Sequence, residues 1–240
     1  MKTQTQKHRG QCLLLNRDLA NQASAKWFDP KHWPTAEPAA AGRGSTWFVQ
    51  SPGGQAVLKH YRRGGLIARI SARDYLFTGW SRVRALREFQ LLAQLQGLED
   101  LNVPCPMAAI GWRHGMFYRC ALITRYIDHR DSLTELVRRE QATPKIWQKT
   151  GHSLGLLARA GVFHVDLNPD NVLIDNSERI HIIDFDRAGR RPHDGSAQVQ
   201  RLLRGLSKRL GGQLDSKALA SIGEQLQQGI EQSQPDHKRT

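Results

Sequence analysis

The apolar pattern along the chain changes period several times, and each change marks an element. Thr46–Gln50 (TWFVQ) and Gln55–Tyr61 (QAVLKHY) are strand-like, and SPGG between them supplies a turn, so a hairpin is expected. Leu86, Phe89, Leu92, Ala93 and Leu95 then recur at helical spacing, with Gly97 as the stop. VPCPMAAIGW reads as extended, and MFYRCALITRYI as a strand ending near Asp128. Ser132 and Glu135 are spaced as a capping box for a short helix. Thr143 before Pro144 starts a longer one, with Ile146, Trp147, Leu154 and Leu157 as its buried stripe and Gly161 as its end. VLID and IHIID flank NSER as a short hairpin, and Val199–Leu210 is an amphipathic helix. Residues 1–26 look polar and unpatterned except for a short strand at Cys12–Leu15. Pro30, Pro34 and Pro38 mark a loop-rich stretch, and the polar run 227–240 is expected to fray.

These elements divide the chain into a β-rich part, 1–127, and a mostly helical part, 128–230, followed by a tail at 231–240. The fold class is therefore α+β. Apolar content of 39% and charged content of 24% fit a soluble globular protein. No run of about 18 apolar residues is present to span a membrane, and the N-terminus lacks the apolar core of a secretory signal, so a cytoplasmic location is expected. Cys12, Cys105 and Cys120 have no CxxC spacing and suggest neither a disulfide framework nor a zinc site.

Charge changes the picture. The net charge is +13, and two windows carry most of it. Residues 62–87 hold Arg62, Arg63, Arg69, Arg73, Arg82, Arg84 and Arg87 against Asp74. Residues 187–209 hold Arg187, Arg190, Arg191, Arg201, Arg204, Lys208 and Arg209 against Asp194. Such clustering implies a polyanionic partner: nucleic acid, an anionic membrane or a phosphorylated substrate. No aromatic-interleaved RNA or DNA motif accompanies it, so nucleic acid is not the expected partner.

The densest chemistry lies in HVDLNPDNVLID, residues 164–175, and IIDFD, residues 182–186. Buried carboxylates are costly unless a cation or hydrogen bonds neutralise them, so Asp166, Asn171 and Asp184 among apolar residues read as a site. The hairpin between them would bring Asn171 and Asp184 close together. An amide oxygen beside a carboxylate suits Mg²⁺, which takes few protein ligands and completes its shell with water and phosphate oxygens. Asp166 would stand apart, able to accept a proton from a substrate hydroxyl.

These stretches resemble protein kinases: HVDLNPDN is similar to the catalytic loop H-R-D-L-x-x-x-N, and DFD to the metal-binding D-F-G. The resemblance implies ATP as phosphate donor. Gly42 and Gly44 stand where a phosphate-covering loop should be, Lys59 where a lysine contacts the α- and β-phosphates, and Glu88 where its ion-pair partner lies. Departures are also visible. Asn168 occupies the place of a lysine in many Ser/Thr protein kinases, Asp186 replaces the glycine of D-F-G, and no A-P-E follows. Only 56 residues follow Asp184, too few for peptide-binding helices, so a protein substrate is not expected.

From about residue 40 to 210 the chain resembles the 3-deoxy-D-manno-octulosonic acid (Kdo) kinases of the lipopolysaccharide kinase family. AGRGSTWF, LKHYRRGGLIARISARDYLFTG, REFQLLAQL, VPCPMAA and HVDLNPDNVLID with IIDFDR carry the likeness. It implies a bilobal protein-kinase-like fold with a reduced helical C-lobe. It also implies ATP- and Mg²⁺-dependent phosphorylation of the Kdo 4-hydroxyl on Kdo-lipid IV-A, in inner-core biosynthesis. The implied location is peripheral, on the cytoplasmic side of the inner membrane, with that anionic surface as a partner and no protein partner. In this reading Arg62, Arg63, Arg69 and Arg73 meet the lipid headgroups, while Arg187, Arg190 and Arg191 lie nearer the acceptor sugar. A heptose kinase, an atypical protein kinase and a silent nucleotide-binding scaffold are the alternatives; an intact Lys59, Asp166, Asn171 and Asp184 speaks against the last.

Overall fold

The computed structural model describes residues 1–19, 21–39, 45–62 and 74–234. Gly42, Gly44, Arg63, Arg69 and Arg73 lie outside the described residues. The chain forms two compact units, Met1–Gly97 with Pro104–Tyr126, and Leu98–Val103 with Ile127–Thr240.

The first unit is built on an antiparallel sheet. Its strands are β1 (Thr3–His8), β2 (Gln11–Asn16), β3 (Glu37–Pro38), β4 (Thr46–Ser51), β5 (Gly54–His60), β6 (Tyr75–Leu76), β7 (Pro106–His114) and β8 (Phe117–Arg125). The order is β1-β2-β7-β8-β5-β4-β3, with β6 on β8. The β4–β5 hairpin closes at Ser51–Gly54, where Gly54 takes φ 98° and Ser51 Oγ donates to the Gly54 carbonyl at 2.6 Å. The strand expected at Cys12–Leu15 is β2, and its buried face explains why it was readable. The expectation that the rest of 1–26 is unpatterned is corrected by β1. TQTQKH is exposed throughout and pairs through main chain alone, so it leaves no apolar signature.

Side chains alternate across β5, which assigns its two faces. Ala56 and Leu58 join a core with Trp27, Phe28 and Trp33, and His60 Nε2 meets the Phe28 carbonyl at 2.7 Å. The proline-marked stretch is thus not simply loop: short 3₁₀ turns at Ala25–Phe28 and Pro30–His32 help cover one face of the sheet. Helix α1 (Arg84–Leu95) packs on β7 and β8 through Leu86, Phe89 and Leu92.

The second unit is mostly helical: α2 (Leu133–Arg138), α3 (Pro144–Arg159), α4 (Ser196–Leu210) and α5 (Ser216–Gln232). Ser132 and Glu135 form the expected capping box, and Thr143 Oγ1 accepts from the Ile146 amide at 3.4 Å above Pro144. Small strands complete it: β9 (Asp131–Ser132), β10 (Val162–Phe163), β11 (Val172–Ile174), β12 (Ile180–Ile182) and β13 (Gly189–Arg190). The polar run expected to fray from 227 is helical to Gln232. Helix α5 buries Ile222, Leu226 and Ile230 and crosses α3 at glycine positions of both helices. The fold class is α+β, with one sheet-rich unit and one mostly helical unit.

The β11–β12 turn rests on Asp175, whose residue is only 5% exposed. Burial alone would raise its pKa. Hydrogen bonds from the Arg179 and Ser177 amides, His181 Nε2 and Arg179 Nε outweigh burial and hold it well below the ordinary value of 3.8. Its stabilising contribution is therefore full above about pH 4 and is lost as pH falls below that value. Asp175→Ala should cost about 2–4 kcal/mol at neutral pH, because several donors lose their acceptor. The difference from wild type should shrink below pH 4, as chemical denaturation across pH will show.

Candidate active site

Lys59 and Glu88 belong to the first unit, and the structure brings them together. Lys59, near the end of β5, places Nζ 3.6 Å from Glu88 Oε2; Glu88 sits on α1 and its side chain is 4% exposed. A carboxylate that buried requires partners. Tyr61 provides a second one: its hydroxyl donates to Glu88 Oε2, and its ring lies 5.0 Å from Lys59 Nζ. Lys59 and Tyr61 are two residues apart, hence on one side of the strand. That spacing in LKHY was the available signal for Tyr61, which the sequence reading did not single out. The result is a lysine held by an anion and an aromatic ring rather than left to solvent.

The second unit carries the two acidic loops. Strand β10 leads into His164, and β11 begins one residue after Asn171. Pairing of Val172 with Ile182 continues past the strand, where the Ile183 amide donates to the Asn171 carbonyl at 3.0 Å. Asn171 and Asp184 therefore occupy the same end of the hairpin, as their spacing implied. Asn171 Nδ2 donates to the Asp166 carbonyl at 3.1 Å, which turns its amide oxygen the other way. Asn168 Nδ2 also donates to that carbonyl, at 3.0 Å, while Asn168 Oδ1 caps the following turn by accepting from the Asp170 amide at 2.9 Å. The loop is thus shaped by main-chain acceptors and amide side chains, and the Asp166 carboxylate is not needed to hold it.

Asp184 adopts φ 64°, in the left-handed region that aspartate tolerates better than most residues. The freedom lost by replacing glycine with Asp186 is not called upon, since Asp186 is not among the positive-φ residues. Phe185, between them, is buried against His164 with ring centroids 4.9 Å apart. His164 is fully buried. Its Nε2 donates to the Ile183 carbonyl at 2.9 Å, and burial pushes its pKa below the ordinary value. It is a neutral tie between the two loops. The Gln198 amide of α4, also fully buried, accepts from the His164 amide at 3.2 Å and donates to its carbonyl at 3.1 Å. Asp170 extends the bracing, accepting from Thr134 Oγ1 of α2 and from Arg209 Nε of α4. Gln198 and Asp170 were not foreseen, because their partners lie 34 to 39 residues away and no local spacing reports them.

Among the described residues no group of three or more His, Cys, Asp or Glu side chains could hold a metal ion. One carboxylate and one amide oxygen at a hairpin end nevertheless fit Mg²⁺, a hard ion that keeps waters and takes phosphate oxygens from its substrate. Of the arginines assigned to acceptor or membrane, Arg62, Arg187, Arg190 and Arg191 are described, and all are exposed. Arg187 Nη1 lies 3.4 Å from Asp166 Oδ1.

A carboxylate and a carboxylate–amide pair on loops fixed by buried ties are groups that phosphoryl transfer uses, and the family comparison gives the class as that of the kinases. The lipopolysaccharide kinase (Kdo/WaaP) family model matches residues 32–223, and the chain belongs to that family. Three similar proteins are each named 3-deoxy-D-manno-octulosonic acid kinase. That of Vibrio vulnificus (strain CMCP6) is 40% identical over 186 residues, 75% of this chain and 78% of that protein. That of Vibrio parahaemolyticus is 37% identical over 205 residues, covering 83% and 86%. That of Stenotrophomonas maltophilia (strain R551-3) is 40% identical over 206 residues, covering 83% and 81%. A solved structure of the bifunctional kinase-methyltransferase WbdD aligns with 82% of this chain and 45% of its own at 18% identity, with a TM-score of 0.48.

Proposed function

We propose that this kinase transfers the γ-phosphate of ATP to the 4-hydroxyl of Kdo on lipid IV-A, in assembly of the lipopolysaccharide core. The observation that carries the reaction type is the separation of roles in the second unit. Asp166 has a carboxylate that the loop does not require, and Asn171 and Asp184 share one hairpin end. The acceptor assignment rests on relatives about 40% identical that bear the Kdo kinase name.

In this reading Asp166 orients the acceptor hydroxyl and takes its proton as the oxygen attacks the γ-phosphorus. Asn171 and Asp184 would hold Mg²⁺, which when bound neutralises phosphate charge. Lys59, fixed by Glu88 and Tyr61, is assigned to the α- and β-phosphates, with Gly42 and Gly44 allowing close backbone approach to the nucleotide. Arg190 and Arg191 face the anionic groups of the acceptor, with Arg187 beside them at Asp166. Incubation with labelled ATP and either Kdo-lipid IV-A or heptosylated core tests the assignment. Label should enter the first, and transfer only to the second would replace the Kdo reading with that of a heptose kinase.

Among the described residues no helix is long and apolar enough to cross a membrane. The first basic window is proposed to hold the enzyme at the cytoplasmic face of the inner membrane by charge. A basic residue near an anionic surface contributes about 1 kcal/mol. Reversing Arg62 and Arg63 together to Glu should therefore weaken sedimentation with anionic vesicles roughly tenfold or more at low salt. Unchanged binding would contradict this role.

A further inference from the structure

We infer that Arg187 is a catalytic residue that neutralises the transferring phosphoryl group, an inference that rests on the kinase reading above. In the transfer, the acceptor O–H gives its proton to Asp166 and its oxygen bonds to the γ-phosphorus. The bond from that phosphorus to the ADP oxygen breaks, and ADP departs with the electron pair. Negative charge is spread over the phosphoryl oxygens throughout, and cations fixed beforehand at that place lower the barrier most.

The catalytic loop itself offers no such cation. Asn168 is uncharged, and both ends of its amide are committed, to the Asp170 amide and the Asp166 carbonyl. Arg187 supplies the charge from the other loop. It sits three residues beyond Asp184, in a turn closed by the Ala188 amide donating to the Phe185 carbonyl at 3.0 Å. Both closing residues are buried, and β13 follows directly, paired with β10. The backbone of an exposed side chain is therefore pinned on either side.

The guanidinium reaches back to 3.4 Å from Asp166 Oδ1, with side-chain exposures of 61% for Arg187 and 41% for Asp166. Among the described residues Arg187 has no other acidic partner. A contact this long and open contributes little stability; the pinned backbone nevertheless places a cation within reach of the carboxylate that receives the acceptor proton. The phosphoryl group in flight must lie between that carboxylate and the Asn171–Asp184 pair. Arg187 is joined to both by contact and by chain, and its planar fork can offer two donors to phosphoryl oxygens.

Arg187→Gln and Arg187→Lys in the full chain test this through two readouts: phosphate transfer to Kdo-lipid IV-A, and slow ATP hydrolysis with water as acceptor. Loss of phosphoryl neutralisation should lower both turnover numbers about 10²-fold in the Gln variant. The Lys variant should lie between, the acceptor KM should stay within about threefold, and the unfolding midpoint should be unchanged for so exposed a side chain. A higher acceptor KM with hydrolysis intact would overturn the inference and move Arg187 to acceptor binding. Wild-type rates in the Gln variant would overturn it as well. If wild type hydrolyses ATP but does not phosphorylate the Kdo lipid, the acceptor reading fails, and the hydrolysis comparison still decides the role of Arg187. A wild-type protein that does neither ends both.

Discussion

Asp166→Asn should lower phosphate transfer by about 10² to 10⁴ while leaving nucleotide affinity within about twofold. The substitution keeps the shape of the side chain and removes its capacity to take a proton. Its structural effect should be small, because the loop hangs on the Asp166 main-chain carbonyl, which accepts from Asn168 and Asn171 and is unaltered by the change. The carboxylate itself meets an exposed arginine at 3.4 Å, a contact that contributes little stability. Initial rates beside equilibrium binding of an ATP analogue separate the two effects. Transfer within tenfold of wild type would remove Asp166 from proton acceptance.

The largest effect on stability is expected at the crossing of α3 and α5. A Cβ at Gly229 would lie 2.0 Å from the Gln148 carbonyl oxygen and 2.7 Å from the His152 amide nitrogen; one at Gly151 would lie 2.0 Å from the Leu226 carbonyl oxygen. The obstacles are backbone atoms within helices, so relief requires the helices to part. Overpacking typically costs 1–3 kcal/mol where side chains can yield, and here they cannot. Gly229→Ala should therefore cost about 3 kcal/mol or more, read from urea denaturation. Gly223→Ala on the same helix is the control, since its Cβ would meet only Leu203 Cδ1 at 3.4 Å. It should change stability by less than about 1 kcal/mol, with helix propensity favouring alanine. Equal denaturation midpoints for wild type and Gly229→Ala would show that the helices are not so closely apposed.

That crossing also explains why α5 escaped the sequence reading. In SIGEQLQQGIEQ the glycines at 223 and 229 and the glutamines interrupt an apolar stripe of only Ile222, Leu226 and Ile230. Glycine inside a helix ordinarily signals weakness, and only the neighbouring helix reveals that Gly229 permits contact. Strand β1 was missed for the converse reason, having no buried side chain at all. Elements with local chemistry were readable. The capping box at Ser132, the Thr143–Pro144 start of α3 and the β4–β5 turn each follow from adjacent residues.

The candidate site divides similarly. Asp166, Asn171 and Asp184 stand out by residue type and spacing among apolar neighbours, while Lys59 and Glu88 are named only through the resemblance to protein kinases. The bracing of that site does not stand out, since Gln198, Thr134 and Arg209 reach it through tertiary packing. The orientation of Arg187 toward Asp166 likewise depends on a turn anchored by Phe185 and Ala188.

Mass spectrometry of the lipid formed from ATP, Mg²⁺ and Kdo-lipid IV-A bears most directly on the proposed reaction. A single added phosphate on the Kdo 4-hydroxyl, absent when Asp166→Asn replaces wild type, is the expected product. Phosphate on a different hydroxyl, or equal product from the Asp166→Asn variant, would contradict it.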